Sequence, residues 1–294
     1  MDGSSAKTWR LHHPRMTICT KTNCPTNHII QKHPFSAQLT YLFILRMMKP
    51  QPQSPKENMT SSKPLWQWSA CDLATAIKRR DISCEETVAA SLDRMNEVNP
   101  HLNAIVISLA EEARAEATSA DAAVKAGKEI GPLHGVPVTI KVNVDIKGKP
   151  NSNGVPALAE NIAPEDSPVV HNLKKAGAII IGITNTPEFS FRMVTDNPLF
   201  GLTRNPWHDD FTCGGSSGGA ASATAAGISP IAHGNDIGGS LRIPAFCCGV
   251  PTIRPTQGRV PAYNPSQLED RSISAQLMSV QGPIAREVRD VRLA

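Results

Sequence analysis

At 294 residues, 40% hydrophobic and 19% charged, the chain has the make-up of one large or two ordinary globular domains, not of an intrinsically disordered protein. Its formal net charge of +4 is too small to argue for a nucleic-acid partner, and much of the excess lies in the first 58 residues, where eight Lys/Arg face only Asp2 and Glu57. The seven cysteines (Cys19, Cys24, Cys71, Cys84, Cys213, Cys247, Cys248) form an odd set with no C-x-x-C spacing, which argues against a closed zinc site and for reduced thiols in a cytoplasmic protein.

Residues 1–58 carry neither a helical nor a strand period and read as an irregular, disordered N-terminal extension; the patterned domain spans 59–294. The apolar stretch at 37–48 falls short of the roughly 20 residues needed to cross a bilayer, and nothing beside it resembles a signal-peptide cleavage site, so no membrane association is expected. A helix is predicted over 69–80, with Ser69 as cap and Leu73, Ala76 and Ile77 on one face. The next helix opens on a capping-box pattern, Ser83-Cys-Glu-Glu86, carries Val88, Leu92 and Met95 on one face, and is expected to stop at Asn99-Pro100. A strand from Leu102 to Ile107 and an Ala-rich helix over 109–126, ended by Gly127, follow.

From there strands and helices alternate. Val136 to Ile140 and Ala178 to Ile183 are buried-strand runs, Ser167-Pro168 opens a helix that Gly177 closes, and a short close-packed helix follows Gly219. Continuous apolar strands between helices imply an α/β fold whose sheet is covered on both faces. At the C-terminus, Gly282-Pro283 is expected to start a helix with Ile284, Val288 and Val291 along one side. Because that stripe needs a surface and the sequence stops at Ala294, the chain reads as cut short inside a larger domain.

Two glycine-dense turns hold the chemistry. Cys213-Gly-Gly-Ser-Ser-Gly-Gly-Ala-Ala-Ser222 and His233-Gly-Asn-Asp-Ile-Gly-Gly-Ser-Leu-Arg242 each present a serine beside backbone N–H groups that glycine leaves approachable. A nucleophilic oxygen next to fixed N–H donors is the equipment of acyl transfer. The first turn also has the look of a phosphate cradle, but it lacks the Gly-Lys-Ser/Thr ending of a Walker motif and has no spaced acidic partner for a dinucleotide. Ser217 suits a helix cap better than a substrate contact, Asp236 a turn-forming role, and Arg242 a structural ion pair with a carboxylate. His134 and His233 fit strand-end positions, and a lone lysine, Lys141, closes an apolar strand upstream. A lysine serves as a base only when neutral. Lowering its pKa from about 10.4 to near 7–8 takes on the order of 4 kcal/mol of burial or neighbouring charge.

The set Gly214-Gly-Ser-Ser-Gly-Gly219, Asp236-Ile-Gly-Gly-Ser-Leu-Arg-Ile-Pro244 and Arg254-Pro-Thr-Gln-Gly-Arg-Val-Pro261 resembles the amidase signature family, with Leu133-His-Gly-Val-Pro-Val-Thr-Ile-Lys141 similar to that family's lysine strand. Asn205-Pro-Trp207, Thr184-Asn-Thr-Pro-Glu-Phe189 and Gly282-Pro-Ile-Ala-Arg286 extend the resemblance from about residue 65 to the last residue. It implies a mixed β-sheet with its C-terminal part missing here, and a Ser–Ser–Lys triad of Ser240 as nucleophile, Ser216 as bridging serine and Lys141 as base. It also implies a cis Gly215–Ser216 peptide and an oxyanion hole from the N–H groups of Ile237, Gly238, Gly239 and Ser240, with Ser217 a weaker candidate for substrate binding. The implied activity is cleavage of a small-molecule carboxamide to a carboxylate and ammonia or an amine. No metal or organic cofactor is implied, and a homodimer is allowed. The alternatives are a subunit of a glutamine-dependent amidotransferase and a truncated, catalytically silent remnant. The chain departs from the family pattern at Val142, where an acidic residue is usual, at Asn235, where threonine is usual, and at Pro251-Thr252.

Overall fold

The computed structural model describes residues 63–267 and 269–294, so the expectation for residues 1–58 lies outside the described residues. Helix α1 (Ala70–Arg79) starts where Ser69 accepts a hydrogen bond from Asp72 N, and it buries Leu73, Ala76 and Ile77. Helix α2 (Cys84–Leu102) has both halves of the capping box between Ser83 and Glu86 and buries Val88, Leu92 and Met95. It does not stop at Asn99-Pro100: Pro100 lies inside the last turn, and the helix ends at Asn103 in a left-handed conformation. A proline near a helix end forfeits a single backbone bond. The Asn99 side chain offsets it by accepting from Ala104 N and Ile105 N, at 2.9 and 2.8 Å. Strand β1 therefore begins late, at Ile105–Ser108.

Helix α3 (Ala110–Lys125) packs on α2, and its Asp121 accepts from Cys84 N at 2.7 Å and Glu85 N at 3.1 Å. A carboxylate on the exposed N–H groups of a neighbouring helix satisfies donors that have no intrahelical partner. Strand β2 (Pro137–Lys141), helix α4 (Pro168–Lys175), strand β3 (Ile179–Thr184) and helix α5 (Gly218–Ala225) follow the expected alternation, and strand β4 (Ile231–Asp236) and helix α6 (Arg242–Cys248), for which no element was expected, continue it.

Among the described residues the strands form one five-stranded mixed sheet in the order β1-β3-β2-β4-β5. The centre, β3-β2-β4, is parallel, and both edge strands run antiparallel to their neighbours. Residues of β3 enter both apolar layers, with a register shift in its pairing with β2 between the Ile180 and Gly182 partners: Ile180 and Ile183 pack with Leu73, Val138, Ile140 and Val170, while Ile179 and Ile181 pack with Ile77, Leu92, Ala113 and Ala223. The central strands are thus covered on both faces, which is why they read as unbroken apolar runs.

A second expectation fails at the C-terminal side. Val280–Ala285 is not the start of a helix but strand β5, paired along its length with β4, from Ile231 opposite Ala285 to Asp236 opposite Val280. Pro283 is tolerated because β5 is an edge strand. Gly282 is required because a Cβ there would come within 2.8 Å of the Ile253 carbonyl. Helix α7 (Ile273–Met278) precedes this strand, and only Val288–Leu293 forms the closing helix, α8. Ile284 is buried in the sheet while Val288 is 74% exposed, so the predicted stripe does not exist. Instead α8 docks on α1 through Asp290, which accepts from Cys71 N at 3.0 Å, and through the Arg289–Asp72 ion pair. Among the described residues no helix is long and apolar enough to cross a membrane.

Candidate active site

Three chain segments converge at the C-terminal ends of β2 and β4. Lys141 closes β2 with 0% exposure. The turn before α5 brings Ser216 and Ser217, and the turn after β4 brings Asp236 and Ser240. The first turn is crowded enough to demand glycine: a Cβ on Gly215 would lie 2.6 Å from the Arg192 carbonyl oxygen. The Gly215–Ser216 peptide is cis. In the second turn Gly239 takes φ +119°, a conformation closed to most side chains.

Lys141 Nζ lies 2.7 Å from Ser216 Oγ, 2.8 Å from Asn235 Oδ1 and 3.1 Å from Ser217 Oγ. Loss of water on burial pushes its pKa well below the ordinary lysine value, opposed only by the charge of Asp236. Asp236 is buried. Burial alone would raise its carboxyl, but hydrogen bonds from Arg242 and from the Gly239 and Leu241 N–H groups outweigh this and hold it at about 2. Arg242 donates to it from Nε at 3.0 Å and Nη2 at 2.9 Å, and Arg254 Nε approaches to 3.6 Å. The turn-forming role of Asp236 and the ion pair of Arg242 are therefore as expected. His233 is not at a strand end: it sits inside β4, bonded to Gln281, and burial lowers its pKa to about 4.

Ser216 and Ser240 line one cavity of about 410 Å³ together with Asn143, Asn235, Ile237 and Gly238. Its lining also includes the apolar side chains of Phe189, Phe191 and Met193 and the polar ones of Gln267, Arg271 and Ser272. The two serine hydroxyls share this cavity without a hydrogen bond between them; Ser240 is joined to the first turn by its carbonyl, which accepts from Ser217 N at 3.2 Å. Catalytic hydrogen bonds often tighten only when substrate is bound.

Two site expectations need correction. Ser217 neither caps α5 with its side chain nor reaches the cavity: it is fully buried behind Ser216, bonded to Lys141 Nζ and to the Asn235 backbone. The Gly239 N–H does not point to a substrate oxygen, because it is held by Asp236 Oδ1 at 2.8 Å. Ile237, Gly238 and Ser240 keep backbone N–H groups with no acceptor among the described residues. Sequence reasoning marked Asn235 only as a departure and did not single out Asn143; the two side chains are joined by a 2.8 Å bond, and Asn235 in turn accepts from the lysine. Val142 packs into an apolar layer, so an acidic side chain at that position has no counterpart beside Lys141.

A family model described as Amidase matches residues 86–294. The chain is 66% identical over 231 residues to an indoleacetamide hydrolase of Bradyrhizobium diazoefficiens, covering 79% of this chain and 44% of that protein. It is 40% identical over 232 residues to an acylamidase of Rhodococcus erythropolis, covering 79% and 47%. Among solved structures it is similar to a bacterial aryl acylamidase of the amidase signature enzymes, with a TM-score of 0.71, 35% identity and coverage of 79% of this chain and 47% of the other. The chain spans less than half the length of each of these proteins.

Proposed function

We propose, from the premise that this chain belongs to the amidase signature family, that it hydrolyses small carboxamides through an acyl-enzyme on Ser240. The reading is supported by one observation above all: a fully buried lysine amine lies 2.7 Å from the hydroxyl of Ser216, which lines the same cavity as Ser240. Loss of water disfavours the charged form of an amine and leaves it the readier to accept a proton.

Ser240 Oγ attacks the amide carbon as its proton passes to Ser216 Oγ, whose own proton moves to Lys141 Nζ. The carbonyl oxygen becomes an oxyanion against the Ile237, Gly238 and Ser240 N–H groups; Gly239 is engaged elsewhere. When the tetrahedral species collapses, the lysine proton returns through Ser216 to the departing nitrogen, which leaves as ammonia or an amine. Water then attacks the Ser240 ester by the same relay in reverse and releases the carboxylate. Each remaining oxyanion donor is expected to contribute about 3–4 kcal/mol to lowering the barrier. Asp236 does no proton transfer here. Clamped by two arginines, it fixes the shape of the turn that carries Ser240.

The apolar side chains of Phe189, Phe191 and Met193 in the lining suit an aromatic acyl group, in keeping with the 66% identity to an indoleacetamide hydrolase. The test is release of ammonia from indoleacetamide and a panel of aryl and alkyl amides by the purified chain, with hydroxylamine added to trap the acyl group as a hydroxamate. Ser240→Ala is expected to lower kcat by about 10⁴-fold or more. Turnover that survives this substitution, or a folded protein inert across the whole panel, refutes the proposal.

A further inference from the structure

We propose that Asn235, held in orientation by Asn143, is the positioning residue that turns the Lys141 amine so that its electron pair faces Ser216; this rests on the Ser240–Ser216–Lys141 reading above. A neutral primary amine has two N–H donors and one acceptor site. Three polar atoms surround Lys141 Nζ: Ser216 Oγ, Asn235 Oδ1 and Ser217 Oγ. Which one meets the electron pair decides whether the amine takes a proton from the relay or stands idle.

The carbonyl oxygen of Asn235 is an acceptor only, so it takes one amine N–H. Ser217 directs its own proton to the Asn235 backbone carbonyl at 3.3 Å and receives the Asn235 N–H at 3.3 Å, which leaves its oxygen to accept the second. Ser216 is then the donor to Nζ, the direction that proton transfer requires. A half-turn of the Asn235 amide would present Nδ2 to the lysine and capture the electron pair. That half-turn is blocked because Asn235 Nδ2 donates to Asn143 Oδ1 at 2.8 Å, and Asn143 is itself fixed by donating its Nδ2 to Ser190 Oγ at 2.9 Å. The other neighbours of Nζ give no competing orientation. Thr184 from β3 and the serines of the first turn are uncharged; His233 on β4 is kept neutral by burial; Asp236 is engaged by Arg242 and Arg254.

The experiment compares full-length variants by amide turnover across pH and, independently of substrate, by the rate at which a fluorophosphonate labels Ser240. Asn235→Ala is expected to lower kcat by roughly 10- to 100-fold with KM nearly unchanged, and to slow labelling in proportion. Asn235→Asp, of the same shape, puts a carboxylate against the amine and favours its charged form. The acid limb of kcat/KM then moves to higher pH, and activity lost near neutrality returns as pH rises. Asn143→Ala is expected to act through Asn235, so that the double variant Asn143→Ala/Asn235→Ala is no slower than Asn235→Ala alone.

A purely structural role moves stability but not the pH limb. A folded Asn235→Ala with wild-type kcat, or an Asn235→Asp whose acid limb stays in place, overturns the proposal; if the alanine variant does not fold, the aspartate profile decides. Lys141→Met and Ser240→Ala in the same assays separate the two levels. Activity or labelling that survives either one sinks the relay itself, whereas loss in both with normal Asn235 variants sinks only the positioning role.

Discussion

At Lys141 the demands of folding and of chemistry pull in opposite directions. In the unfolded chain the amine titrates near 10.5 and is charged at neutral pH; in the fold, burial holds its pKa well below that value. Folding at a pH between those two values therefore expels a proton, and the folded state loses about 1.4 kcal/mol for each unit by which the pH falls across the window. The folded pKa is depressed, so the contribution is most favourable above 10.5 and weakens toward the folded value. Lys141→Met has no proton to expel. Its stability relative to wild type, measured by urea unfolding, is expected to rise by about 1.4 kcal/mol on going from about pH 10 to about pH 9. A difference that does not change with pH would mean that the lysine stays charged in the fold and cannot serve as a base. At this scale the sequence was informative about Lys141, Ser216 and Ser240, because the glycine turns around the serines have few other uses. It marked Asn235 only as a departure and was silent on Asn143, because the bond between them joins positions 92 residues apart.

Element by element, what could be read was whatever a local signal specifies. The Ser69 cap and the Ser83–Glu86 box start helices where the pattern says, since each motif satisfies helix donors within a few residues. The misread elements, Pro100 and Gly282-Pro283, are prolines whose effect depends on what lies beside them. Pro100 is tolerated in a final turn secured by Asn99, whose side chain reaches forward to the Ala104 and Ile105 N–H groups, and Pro283 on an edge strand; neither arrangement is specified by the Asn-Pro or Gly-Pro pair itself. Asp121 is a third such case, capping α2 from α3 across 37 positions. Because it serves two N–H groups, one of them on fully buried Cys84, Asp121→Ala is expected to cost about 2–3 kcal/mol in chemical denaturation. Ser83→Ala, at an exposed cap, is expected to cost only about 1 kcal/mol. Equal losses would show that α2 is not held by its neighbour.

For the described domain as a whole, the cavity is lined both by turns at the ends of the sheet strands and by residues from the segment before α7. Sequence patterning conveyed the covered α/β sheet, since apolar runs and helices alternate. The segment before α7 has no such period, and it is tied to the end of β2 by the buried carboxylate of Asp145 together with Asn264. Asp145, just past β2, accepts from Ser266 N at 2.6 Å, Ser266 Oγ at 2.8 Å and Asn151 Nδ2 at 2.5 Å, while Asn264 bonds the Asn143 carbonyl at 2.9 Å. These bonds fasten the chain that carries Gln267, Arg271 and Ser272 to the strand that carries Lys141. Hydrogen bonds to a charged acceptor contribute about 1.5–3 kcal/mol each, more than most contacts available to a loop. Asp145→Ala is therefore expected to release residues 264–267, and with them this part of the cavity lining, while β2 and β3, packed in both apolar layers, stay closed. In hydrogen exchange, amides of 264–267 lose protection and those of β2 and β3 keep it, because the two regions open with different free energies. KM for aryl amides rises several-fold, since part of the lining shared with Phe189 and Phe191 is no longer fixed. Uniform loss of protection across the sheet would instead make Asp145 a keystone of the entire fold, and unchanged exchange at 264–267 would mean that the segment is secured by other contacts.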